Sequence, residues 1–294
     1  MDRPGDDGLV YACLTHVPLT LSFPSWVAPI YLGPAQHDGA LNLRDLAPEW
    51  EPHHPVLGST AGAFAVKNYL RSEFPEATRV GICQYRKFVS RDRITSVRDP
   101  KYRVMDVVPK SMLDKGRFAE WLAPGDAPFL VSSPLKFTRV PWHRRGYLKE
   151  YSRDHHVQDL LRFAAEAVEQ GVLGDRELLA FFHEDVLVPG GLEFGVYPAP
   201  FWLAGIEAIE KVVRACIAKH PEVREGYQKR NWSFCAERLG SYLLLRRLRA
   251  KGSSGGAPGP AVEWWSRRRW SRRYAGQMNL IVEGDDHAGY RGGA

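Results

Sequence analysis

Hydrophobic positions fall into short unbroken runs in the first third of the chain and into helical spacing in the last. "GLVYACLTH" (8 to 16) is apolar at consecutive positions, as a strand covered on both faces is, and His16 stands just past its end. "WVAPIYLG" (26 to 33) reads as a second short extended piece bounded by prolines. After an irregular "HDGALN" loop, "TAGAFAVKNYLRSEF" (60 to 74) carries Ala63, Phe64, Val66, Lys67 and Leu70 at helical offsets, with Pro75 just beyond. "RVGICQYRKFV" follows within a few residues as a strand, and a strand, helix, strand order implies a layered α/β domain.

Further on, "PFLVSSP" (128 to 134) is another core strand, and "HVQDLLRFAAEAVEQGV" (156 to 172) is an amphipathic helix closed by Gly171. Asp154 reads as its N-cap. "RELLAFFHEDVLV" fits helix and strand equally. Two long helices come next, one from about Phe201 to the stop at Pro221 and one over 234–250. "KGSSGGAPGP" has the composition of a flexible linker. The expected organisation is therefore a folded body over 1–250, a linker over 251–260 and an appendage over 261–294.

With 294 residues, 44% of them hydrophobic, the chain can bury a full core, and whole-chain disorder is excluded. Cys13, Cys83, Cys216 and Cys235 are widely spaced and sit in apolar segments, so buried free thiols in a reducing compartment are expected. The N-terminus lacks the basic-then-apolar order of a signal peptide, and no apolar stretch nears the roughly 20 residues that cross a bilayer. These features place the chain in the cytoplasm, with at most peripheral membrane contact.

The net charge of +6 is small, but its distribution is not even. Between Arg246 and Tyr274 eight arginines face one acid, Glu263. There Trp264, Trp265 and Trp270 alternate with Arg267, Arg268, Arg269, Arg272 and Arg273, a mixture suited to an anionic lipid surface. Nucleic acid could meet the same groups, yet the body shows no aromatic-basic sheet motif, so a membrane is the expected partner.

Chemistry concentrates at two places. The strand that empties into Gln84, Tyr85 and Arg86 puts a planar cationic fork and a phenol at the carboxyl edge of a sheet, where open α/β folds bind ligands. A surface arginine beside a capping tyrosine would look the same. "FCAERLGSYLL" sets Glu237 and Arg238 in an otherwise apolar helix, where the carboxylate is either a structural ion-pair member or a general base. Adjacent His155 and His156 point about 100° apart on a helix, which does not suit one metal ion. The body has no Asp-x-Asp, Gly-rich phosphate loop, nucleophile elbow or zinc-protease signature.

Together, "STAGAFAVKN", "VGICQYRKF", "DHHVQDLL" and "FCAERLGSYLL" resemble, in order and spacing, the bacterial glycosyltransferase-like DUF4422 family of capsular, exopolysaccharide and O-antigen loci. The likeness spans about residues 10–250. Departures exist: the family's histidine before Tyr-Arg is Gln84 here, its second arginine is Lys87, and its acid on the earlier helix is replaced by Ser59-Thr60-Ala61. The resemblance implies a GT-A-like α/β core with a mixed central sheet flanked by helices. It further implies a nucleotide-sugar-dependent transferase, with a UDP-sugar as co-substrate and a glycan or lipid-linked acceptor. On that reading Thr15 and His16 lie near the nucleotide, and Lys67, Asn68, Tyr85, Arg86 and Arg238 bind the donor. Glu237 is the expected base, with Asp159 second, and the missing Asp-x-Asp favours a mechanism without a divalent metal. The rival reading is a non-catalytic scaffold that uses the Arg/Trp tail.

Overall fold

Leu9–Thr15, the first strand β1, is buried along its whole length. Its side chains alternate: Val10, Ala12 and Leu14 enter one hydrophobic core, and Leu9, Tyr11 and Cys13 enter a second on the opposite face. A strand covered on both sides has no reason to alternate polar and apolar residues, which explains its continuous apolar run. The computed structural model describes residues 8–100, 104–113, 115–137, 146–252 and 274–282.

The strands that follow are β2 (Val27–Tyr31), β3 (Leu41–Asn42), β4 (Arg79–Gln84), β5 (Lys87–Ser90) and β6 (Met105–Pro109). Later come β7 (Val131–Ser132), β8 (Leu135–Lys136), β9 (Val186–Leu187), β10 (Gly195–Pro198) and β11 (Ala275–Val282). Between them lie helices α1 (Leu43–Leu46), α2 (His54–Leu57), α3 (Ser59–Glu73), α4 (Lys115–Leu122) and α5 (Tyr147–Asp154). The remaining helices are α6 (Val157–Glu169), α7 (Asp175–His183), α8 (Ala199–Lys219) and α9 (Asn231–Gly252).

The central sheet runs β3-β2-β1-β4-β5-β11-β6, with β10 joined to β4 and β7 joined to β11. β1 pairs in parallel with β2 on one side and β4 on the other. β4–β5, β4–β10 and β5–β11 are antiparallel, while β11 is parallel to β6 and β7. Helices α3, α6, α8 and α9 supply the larger core, and Phe118 of α4 helps to close the smaller one. The sheet is thus mixed and flanked by helices, the α/β class that the hydrophobic pattern implies.

Two expectations need correction. Residues 275–282 are not part of an appendage, because β11 lies inside the sheet between β5 and β6. The run "QMNLIV" is a good strand, but the linker composition and arginine cluster ahead of it hide the return to the core. Asp154 does not cap the middle helix; it ends α5 and pairs with Arg153, and His156 takes the cap position. The ambiguous "RELLAFFHEDVLV" is both elements in turn, α7 and then β9. All four cysteines are free and buried, and no described helix is long and apolar enough to cross a membrane.

Candidate active site

Strand order reverses at β1. The chain goes from β1 out to β2 and β3, then returns to lay β4 on the other side of β1. A crevice outside the carboxyl ends of strands at such a reversal is where open α/β sheets take ligands. Here those ends are Thr15, followed by His16, and Gln84, followed by Tyr85 and Arg86.

Gln84 pairs with Lys87 across the β4–β5 turn, so Tyr85 and Arg86 are the two loop residues of a hairpin. Such loops normally use Gly, Asn or Asp at positive φ, but no described non-glycine residue has positive φ. The turn is therefore of a kind that splays its strands. β5 accordingly leaves β4 after one pair and runs along β11, while β10 takes the rest of the same β4 edge. The Ile281 N–H donates to the Arg86 carbonyl at 2.8 Å, so β11 braces the turn from behind.

Above the turn, the His16 ring meets Tyr85 edge-on at 5.1 Å, and the Arg86 guanidinium lies 5.5 Å from the Tyr85 ring centre. Thr15 is buried; its hydroxyl donates to the Val17 carbonyl at 2.5 Å and shapes the strand exit instead of facing a ligand. Partial burial lowers the His16 pKa, and Arg86 and Arg230 lower it further. Lys87 is likewise held below the ordinary lysine value, by burial first and then by Arg86 and Arg230, with Glu237 and Glu193 opposing. One ammonium group thus feels two guanidinium groups and two carboxylates.

The carboxylates reach this place from different elements. Glu237, on α9, accepts from the Gly190 N–H at 2.8 Å and from Arg238 at 3.2 Å, and its side chain remains 29% exposed. Gly191 makes the close approach possible: its φ is +53°, and a Cβ there would stand 2.7 Å from the Glu237 carbonyl oxygen. Glu193 follows in the same loop and accepts hydrogen bonds from Ser59 and, at 2.6 Å, from Thr60 at the start of α3. Thr60 is also 3.0 Å from the Ser233 hydroxyl. Burial raises the Glu193 pKa against those hydrogen bonds, and the nearby Glu237 adds to the rise.

Several expected site residues lie elsewhere or act differently. Lys67 is buried on α3 in an ion pair with Glu210, whose carboxylate also takes the Trp50 indole N–H at 2.7 Å, so it has no charge to offer a phosphate. Asn68 donates to the Leu46 carbonyl at 2.7 Å. Asp159 is buried and held by Nη2 and Nε of Arg224, at 2.8 and 3.2 Å, which makes it a lock and not a second base. Arg238 is buried on the Tyr151 ring and bound to both Glu150 oxygens at 3.0 Å, so it orients Glu237 and does not face a donor. Trp264, Trp265, Arg267, Arg268, Arg269, Trp270, Arg272 and Arg273 lie outside the described residues.

Sequence reading missed His54, Lys87, Glu193 and Arg230 as site members. A clue was present for two of them: the Gly190-Gly191 pair just before Glu193 signals a tight backbone approach, and Arg230 stands before a long helix, where a cation is disfavoured. Among the described residues, no three His, Cys, Asp or Glu side chains are grouped so as to hold a metal ion.

Sheet, reversal point and flanking helices make up an α/β fold that this chain shares with a solved glycosyltransferase. The chain matches the apo structure of the bifunctional glycosyltransferase WbbM, with a TM-score of 0.65 and 12% identity. The match covers 93% of this chain and 45% of that one, so this chain spans less than half of that protein's length. No protein-family model and no curated protein matches the chain.

Proposed function

We propose that this protein is a glycosyltransferase that moves a sugar from a nucleoside-diphosphate donor to a hydroxyl of a glycan, carried on lipid, during synthesis of a bacterial surface polysaccharide. The observation that carries this reading is the convergence of Arg86, Lys87, Glu193 and Glu237 at the reversal point of a glycosyltransferase fold. The resemblance of the Tyr85-Arg86 and Glu237-Arg238 motifs to the DUF4422 family supports it and suggests UDP as the nucleotide.

Breaking a glycosyl phosphate bond leaves negative charge on the departing diphosphate, and a proton must leave the attacking hydroxyl. Arg86, exposed at the turn and unpaired with any described carboxylate, offsets the first. Tyr85 offers its ring face and hydroxyl to the nucleotide or sugar, with His16 against its edge. Glu237 receives the proton: its side chain is 29% exposed, it is not tied up by Ser59 and Thr60 as Glu193 is, and Gly190 and Arg238 fix its direction. With cations in the leaving-group position, the reaction runs without a divalent metal. The enzyme works at the inner face of the membrane, where its Arg/Trp segment meets anionic lipid.

The test is nucleotide release from a panel of nucleotide sugars with extracts of glycan acceptors, in buffer containing a chelator. Arg86→Ala should weaken nucleotide binding by roughly 10- to 100-fold. Glu237→Gln should spare binding and lower turnover by about 100-fold or more. Equal turnover in both variants and the parent would refute the assignment; activity that vanishes with chelation and returns with manganese would refute the metal-free step.

A further inference from the structure

Arg230 has an unusual setting. It immediately precedes Asn231, the first residue of the 22-residue helix α9, where the helix dipole repels a cation. No described carboxylate pairs with it, and its Nε is buried without a hydrogen-bond partner. The guanidinium comes close against Gly58, the residue that opens α3: a Cβ at that position would stand 2.5 Å from Nη2 and 3.2 Å from Cζ. Gly58 has φ +55°, so this face is bare because the backbone there both needs and permits glycine.

From that perch Arg230 reaches four groups of the candidate site. Its charge is felt at His16, His54, Lys87 and Glu193. Arg86, on the β4–β5 turn, is felt at two of the same groups, His16 and Lys87. Two guanidinium forks and an ammonium therefore gather from two places, the β4–β5 hairpin and the residue before α9, without an ion-paired carboxylate among the described residues. Like charges brought together at a functional edge need an anion between them. Two planar forks and one ammonium together suit an anion with two tetrahedral centres.

We propose that Arg230, seated on Gly58, closes a clamp with Arg86 and Lys87, and that this clamp holds a diphosphate. That the diphosphate belongs to a nucleotide sugar rests on the transferase reading; the clamp does not. Glu193 and Glu237 border the same space and repel the anion on their side, which leaves it to the three cations.

The experiment is titration calorimetry of the full chain with inorganic pyrophosphate, inorganic phosphate and UDP. Pyrophosphate should bind more tightly than phosphate by about tenfold or more, since a second phosphoryl group adds charge-assisted hydrogen bonds. Arg230→Ala should weaken pyrophosphate by roughly 10- to 100-fold, Arg230→Lys should recover part of the loss, and Lys229→Ala should change nothing. If Arg230→Ala does not fold, Arg230→Lys and Gly58→Ala, which displaces the guanidinium, carry the same comparison. Undiminished pyrophosphate and UDP affinity in the Arg230 variants of a chain that turns over nucleotide sugars would overturn the clamp and leave the transferase reading standing. Lost pyrophosphate binding in a chain that cleaves no nucleotide sugar would uphold the clamp and overturn the transferase reading.

Discussion

At the scale of single residues, the site is an arrangement of groups held in states they would not adopt alone. His16 and His54 both sit below the ordinary histidine value of 6.5. Burial is the main cause at each; Arg86 and Arg230 add to it at His16, and at His54 Glu51 opposes while His16 and Arg230 add. The unfolded chain therefore binds protons that the native protein refuses as pH falls through 6.5 toward the lowered values, and stability falls over that window. A diphosphate bound as proposed would offset the repulsion and raise both pKa values. Binding near pH 6.5 should then take up protons, seen as a heat that differs between buffers of different ionisation enthalpy. Equal heats in both buffers would mean that the anion docks away from the histidines.

Among the elements, α9 and the loop before β10 set the position of the proposed base. Ser241, one turn after Glu237, sits 2.9 Å from the Tyr147 hydroxyl and accepts the Val188 N–H at 2.8 Å, which ties α5, the loop and α9 together. Gly191→Ala would force a methyl group to 2.7 Å from backbone at a positive φ. We expect a loss of about 1–3 kcal/mol, measured as a lower urea midpoint, with turnover falling more than nucleotide affinity. A variant with parental turnover would show that the loop does not set Glu237. Elements with a strong period were legible in the sequence: β1, α3, α6, α8 and α9 all lie close to where hydrophobic spacing puts them. Tyr85, Arg86 and Glu237 stand out because their local settings are odd for a turn and an apolar helix, but those settings suit a capping pair and a structural acid as well, and it is the family resemblance that makes them candidates. Glu193 and Arg230 do not, because their roles depend on contacts with Thr60 and Gly58, far away in the chain. Lys67 and Asp159 misled for the mirror reason: their partners, Glu210 and Arg224, are distant in sequence and neutralise them.

On the scale of the whole molecule, the position of β11 decides how the protein can be dissected. Met278, Leu280, Ile281 and Val282 are all buried, and at roughly 1.5–3 kcal/mol for each side chain their loss rivals the net stability of a domain. A chain ending at Ala250 should therefore be largely unfolded or aggregated, seen as a lost cooperative thermal transition; a folded truncated chain with unchanged nucleotide affinity would contradict the sheet order. For the same reason, membrane binding through the Arg/Trp segment is best tested by substitution within the full chain. Replacing Trp264, Trp265 and Trp270 with Ser and Arg267, Arg268 and Arg269 with Gln should abolish flotation with anionic vesicles while leaving the thermal transition in place. Retained flotation would assign the membrane contact to another surface.

The hydrogen bond from Ile281 to the Arg86 carbonyl also bears on the order of events during biosynthesis. A nascent chain can pair β1 with β4 early, but the hairpin carrying Tyr85 and Arg86 gains its rear support only after Ile281, about 195 residues further on, has been made. Contacts so remote in sequence form late and slowly. A chain that stops or is cut before Ile281 would then lack both the core contribution of β11 and the rear support of the turn that carries Tyr85 and Arg86.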